Sequence, residues 1–133
     1  LNMVSSILNS AIIHQVALLS NDLEASRDFY ENLLGANFIA EFSPPGIAFF
    51  KFGDTRLLLD KNGKPGNIYF RVDDIEKSVN QLTEQGVKFE TEIEAVFKDD
   101  DGLFGKAGDT EFMAFIEDPS SNLIALVEQK LAE

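Results

Sequence analysis

The chain has 133 residues, 44% hydrophobic and 26% charged, with 23 acidic against 11 basic residues and a formal charge of −12. This is the size and composition of one folded domain; the charge repels phosphates and excludes nucleic acid as a partner, and no apolar run approaches the roughly 20 residues of a membrane span. Cysteine is absent, so disulfides, thiolate catalysis and cysteine-bound metals are excluded.

The opening LNMVSSILNSAII lacks the basic segment of a secretory signal, and the cytoplasm is the expected compartment. The first strand-like phrase follows, in QVALLSNDLEAS (15–26). Asn21 is a natural helix N-cap, with Glu24 three residues later as in a capping box. Leu23, Tyr30, Leu33 and Leu34 give an apolar stripe, and Gly35 stands where a left-handed C-cap belongs. Three strand-like segments come next: NFIAEFS (37–43), GIAFFKF (46–52) and TRLLLD (55–60). Pro-Pro-Gly at 44–46 and Gly-Asp at 53–54 are the turns between them.

After a turn-rich link, KNGKPG (61–66), the pattern starts again in NIYFRVDDIEKS (67–78), 52 residues beyond its first copy (15 to 67). Asp73 and Glu76 repeat Asn21 and Glu24, Gly86 repeats Gly35, and Ile75, Val79 and Leu82 lie on one helical face. Three more strand-like segments follow: KFETEIEAVF (88–97), TEFMAFIE (110–117) and NLIALVE (122–128). The reading is α+β: a first βαβββ module at 12–60, the link 61–66 and a second module at 67–128, in one compact domain. Neither module alone buries enough surface, so they pack on each other or on a second chain.

One segment breaks the symmetry. FKDDDGLFGKAGDT (97–110) is longer and more polar than its counterpart SPPG (43–46), and is either a loose loop or a cover for a site. Its three aspartates lack the alternating spacing and closing glutamate of a calcium loop.

Together QVALLSNDLEASRDFYENLLGANF, FGDTRLLLD, NIYFRVDDIEKS and EDPSSNLIALVE, in this order over residues 15–128, resemble the vicinal oxygen chelate superfamily. It includes glyoxalase I, methylmalonyl-CoA epimerase, extradiol dioxygenases and the fosfomycin and bleomycin resistance proteins. The resemblance implies a curled mixed sheet that forms a cup with helices outside it, and a homodimer. In members with a metal, one ligand comes from the first and one from the last strand of each module, His or Gln with Glu. Here those positions read Gln15, Leu58, Asn67 and Ala125. Two hydrocarbon side chains and two neutral amides are too few donors for Zn²⁺, Ni²⁺ or Fe²⁺, so no metal and no cofactor are expected. Strand side chains alternate faces, so His14, the one histidine, points away from Gln15's side and is a surface or helix-packing residue rather than a ligand.

The concave face is the ligand pocket in such proteins. Alternation then predicts its lining: Gln15, Ala17 and Leu19; Arg56, Leu58 and Asp60; Asn67, Tyr69 and Arg71; Leu123, Ala125 and Val127. The opposite parity, Val16, Leu18, Leu57, Leu59, Ile68, Phe70, Val72, Ile124 and Leu126, is wholly apolar, as a face under helices must be. Apolar walls with a few polar groups suit a small organic ligand. Arg56 and Arg71 either hold a carboxylate or phosphate, or pair with Asp60 and nearby glutamates at the rim. Tyr69 can stack on a planar ligand, and Phe104 in the long loop can touch one. Asp60 is the one acid among these lining positions, and no nucleophile–base pairing or phosphate loop is visible.

Three functions are compatible with these residues. The first is a metal-free binding protein of the bleomycin-resistance kind, whose acidic surface could attract a cationic drug. The second is a metal-dependent lyase, isomerase or dioxygenase with displaced ligands. The third is a partner-binding module acting through an edge strand or the stretch LNMVSSILNSAI.

Overall fold

A computed structural model describes residues 8–132; most of the N-terminal stretch proposed for partner binding lies outside the described residues. The first half contains β1 (Gln15–Leu19), helix α1 (Leu23–Arg27) continuing into wider π-type turns at Asp28–Leu33, then β2 (Asn37–Phe42), β3 (Ile47–Phe52) and β4 (Thr55–Asp60). The second half contains β5 (Asn67–Arg71), α2 (Ile75–Glu84), β6 (Glu94–Asp99), β7 (Asp109–Glu117) and β8 (Leu123–Leu131). Each half makes a four-stranded sheet, β1-β4-β3-β2 and β5-β8-β7-β6. In both, the first strand lies parallel to the last and the remaining neighbours are antiparallel.

The duplicated phrase builds duplicated helix starts, shifted by one residue from the sequence expectation. The caps are Asp22 and Asp74, not Asn21 and Asp73: Asp22 accepts from the Ala25 N–H at 3.2 Å and Asp74 from the Lys77 N–H at 3.1 Å. Asn21 instead donates its backbone N–H to Ser120 Oγ. Gly35 and Gly86 do adopt left-handed backbone, with φ of 78° and 90°, which a side chain would strain. The strand expected at 88–97 is shorter, because residues 88–93 stay outside the ladder. There Phe89 and Ile93 turn into the core and only the Glu90 N–H reaches β7, at the Phe115 carbonyl. β8 runs beyond the expected 128, to Leu131.

The alternation expected for the apolar parity holds. Leu18, Leu57 and Leu59 of the first sheet and Ile124 and Ile116 of the second join Leu23, Phe29 and Tyr30 in one cluster. Leu126 and Ala114 pack with Ile75 and Leu82 of α2 in an adjoining one. The helix-facing sides of both sheets therefore share one interior, and the other face of each sheet is left open.

A buried polar cluster fastens the halves. Tyr30 donates its hydroxyl to Asp118 Oδ2 at 2.6 Å, and Asp118 also accepts the Ser120 and Asn122 N–H groups and the Asn122 side-chain amide. Asn122 then donates to the Leu19 carbonyl and accepts from the Gly66 N–H. One turn of the second half thus holds the π-type turns, the end of β1 and the link. Burial, and then the bond to Asp118, pushes the Tyr30 phenol far above its ordinary pKa, so it remains a donor at neutral pH.

Candidate functional site

The sequence-predicted site residues fall on the two open faces. On the first sheet, Gln15, Lys51 and Arg56 stand in one row across three strands. The next row is Ala17, Leu58 and Phe49, and the row beyond is Leu19, Asp60 and Ile47. On the second sheet, Asn67 and Leu123 share a row, then Tyr69, Ala125 and Phe115, then Arg71, Val127 and Met113.

Arg56 is the best-anchored polar group. Its Nε donates to Gln15 Oε1 at 2.6 Å, and its Nη2 lies 3.1 Å from His14 Nε2. A guanidinium has no lone pair to offer, so the imidazole nitrogen is the acceptor in this contact. The guanidinium carbon sits 5.4 Å from the Phe49 ring centroid. His14 therefore serves the same group as Gln15. It precedes β1, where strand alternation no longer dictates direction. Pairing of Arg56 or Arg71 with a neighbouring acid does not occur: among the described residues neither lies within 4.0 Å of a carboxylate.

Asp60 caps a turn, accepting from the Asn62 N–H at 2.8 Å. Asn67, Tyr69 and Arg71 line a cavity of about 400 Å³ with Val16, Leu57 and Phe52, between β1 and β5. Tyr69 is 54% exposed and meets Phe115 edge-on at 6.2 Å. Ala125, in the same row, is buried. Gln15, Arg56, Leu58 and Asp60 are absent from that cavity, so one chain does not gather the predicted residues into one pocket. A larger space of about 920 Å³, near Asp73, Val96 and Lys130, holds none of them.

The long loop is ordered around Asp99 rather than loose. Asp99 accepts from the Leu103 N–H at 2.7 Å and the Phe104 N–H at 2.9 Å, and its backbone carbonyl accepts from Gly102 and Gly108. The N–H groups facing the carboxylate, that of Phe104 foremost and then that of Leu103, hold its carboxyl below the usual carboxylate range. Phe104 packs on Phe97 at 5.7 Å between ring centroids, and Gly105 sits beside Gln129. Phe97 and Gln129 belong to the row containing Glu111, so the loop borders the open face of the second sheet.

The metal positions implied by the resemblance hold an amide oxygen already bound to a guanidinium, an exposed amide, a leucine and a buried alanine. That donor set does not fit a divalent ion. Among the described residues no three or more His, Cys, Asp and Glu side chains cluster as metal ligands would, and no helix is long and apolar enough to cross a membrane.

A family model described as Glyoxalase/Bleomycin resistance protein/Dioxygenase superfamily matches residues 12–126. The chain belongs to that superfamily. Solved structures within this fold include a lactoylglutathione lyase from Agrobacterium tumefaciens, 22% identical, covering 90% of this chain and 93% of its own with a TM-score of 0.69. A superfamily member from Sphaerobacter thermophilus is 24% identical, covering 91% and 99% with a TM-score of 0.68. One from Alicyclobacillus acidocaldarius is 19% identical, covering 90% and 92% with a TM-score of 0.67. These likenesses show the superfamily fold. No curated protein matches the chain.

Sequence reasoning missed Lys51 and Phe49. The signal was present: in GIAFFKF, Ala48, Phe50 and Phe52 are apolar on one parity, while Ile47, Phe49 and Lys51 occupy the other.

Proposed function

We propose that this superfamily member binds a small organic molecule without a catalytic metal, as a homodimer in which the first-sheet face of one protomer closes over the second-sheet face of its partner. The reading keeps the cytoplasm as its compartment. The observation that carries it is the fate of the chelating positions: Arg56 takes the Gln15 amide oxygen, and Leu58 and Ala125 present hydrocarbon. A cation fixed at that strand end disfavours a second cation there. The homodimer is supported by the open faces. Tyr69, Phe42 and Phe97 remain 54%, 51% and 40% exposed on or beside them, and a second copy would cover this apolar area at no cost in new sequence. Metal analysis of the purified protein, with thermal shifts in Ni²⁺, Zn²⁺, Mn²⁺ and Fe²⁺, should find no stoichiometric ion and no shift. Light scattering should find a dimer. One bound divalent ion per chain would overturn the metal-free reading, and a monomer at micromolar concentration would overturn the shared pocket.

A further inference from the structure

The open face of the first sheet has a direction. Lys51 and Arg56 are register partners on adjacent antiparallel strands, so two cations stand side by side at one end. Among the described residues neither has a carboxylate within 4.0 Å, in a chain with 23 acids and 11 bases. By contrast Arg27, on α1, is paired with Glu31 at 2.8 Å. Adjacent like charges repel, and acids are abundant enough to have neutralised these two. Instead Arg56 is steadied by two neutral acceptors, Gln15 and His14. They orient its plane without cancelling its charge, and use two of its five N–H donors. Next to this basic end lies an apolar floor of Phe49, Leu58 and Ala17. The nearest acid on this face along β4, Asp60, is four residues away, about 13 Å, and its side chain is committed to the turn at Asn62.

We propose that this face takes an organic carboxylate with an apolar body: the carboxylate on Arg56 and Lys51, the body on Phe49, Leu58 and Ala17. The inference rests on the ligand-binding reading above and names the ligand's chemical class. It reverses the preference that net charge alone suggests, because a group in contact with Arg56 feels the local pair more strongly than distant, solvent-screened acids. Oriented guanidinium N–H groups give charge-assisted bonds to a carboxylate, which neutral or cationic head groups cannot accept in the same way.

Three probes of one shape separate the class from the reading: 2-naphthoate, 2-naphthamide and 2-naphthylmethylammonium, each titrated calorimetrically into the intact protein. Naphthoate should bind about 10-fold or more tighter than naphthamide, and the gap should narrow as salt rises. Arg56→Met should close the gap, naphthoate losing far more affinity than naphthamide; Lys51→Gln, at an exposed position that does not threaten folding, should narrow it. Equal binding of naphthoate and naphthamide, or tighter binding of the ammonium, would overturn the carboxylate class and leave the ligand-binding reading standing. No binding of any probe would sink both. If Arg56→Met dissociates the dimer and naphthoate affinity does not move, Arg56 is an inter-subunit ion-pair partner and the proposal fails.

Discussion

The two halves of the chain share one topology and decorate it oppositely. The open face of the first carries Lys51, Arg56 and Gln15 at one end and Asp60 at the other. The second puts Arg71 beside Val127 and Met113, then Glu111 with Gln129, under the loop built on Asp99. Their helix-facing sides are alike, with leucine, isoleucine, phenylalanine and alanine in matching rows. The difference shows which positions a duplicated unit is free to change. The covered side is constrained by packing, since each lost methylene there is felt. The open side answers to whatever lies on it.

The strongest test breaks the link between the halves. Asp118→Ala should destabilise the protein by about 3 kcal/mol or more, because it leaves the buried Tyr30 hydroxyl and the Ser120 and Asn122 backbone N–H groups without their acceptor together. Chemical denaturation would read this; a loss under 1 kcal/mol would mean that the Asp118 carboxylate does not fasten the halves. Tyr30→Phe should cost less, about 1–2 kcal/mol, since Asp118 keeps its other donors. The phenol's pKa is raised in the folded state. Its contribution is therefore in full force below the unfolded phenol value of about 10 and falls as pH climbs past it. Tyr30→Phe should blunt that alkaline loss.

A middle-sized effect compares the two helix caps. Asp22→Ala and Asp74→Ala should each cost about 1 kcal/mol. The second should be the milder, because Glu128 still accepts the Ile75 N–H at 2.9 Å. Urea titration of both variants decides it, and a larger loss at Asp74 would show that the β8 carboxylate does not support α2. The smallest effect on global stability belongs to the loop. Asp99→Asn should leave the melting temperature in place while amide exchange at Leu103 and Phe104 quickens. Because the Asp99 carboxyl is held low, its grip is complete above the ordinary carboxylate value of about 4 and is lost as pH falls through the depressed one. Wild-type loop protection should thus persist at neutral pH and vanish in strong acid; protection unchanged in Asp99→Asn would mean that the loop orders itself.

Much of this architecture was legible in the residues. Alternation in TRLLLD and NLIALVE assigned the buried parity, and the repeated Asp-Leu-Glu and Asp-Ile-Glu phrases located both helices to within one residue. The cap shift has a local cause: in Asn21-Asp22 and Asp73-Asp74 either residue can cap, and the second is the one next to the helix start. The loop at 97–110 was illegible because its order comes from one carboxylate folding back on amides four and five residues ahead. Composition reads such a stretch as polar and nothing more.

By itself the sequence determined the doubled strand–helix–strand plan, the covered and open faces, and the hydrocarbon side chains Leu58 and Ala125 at two positions where the resemblance implies metal ligands. These are local matters, settled by a period of two along a strand and by the donor atoms each side chain owns. Only the tertiary structure decided that His14 and Gln15 share one guanidinium, that Lys51 stands beside it, and that Tyr30 reaches Asp118 across 88 residues. Those facts depend on register and on which strands become neighbours, and no local rule along the chain contains them.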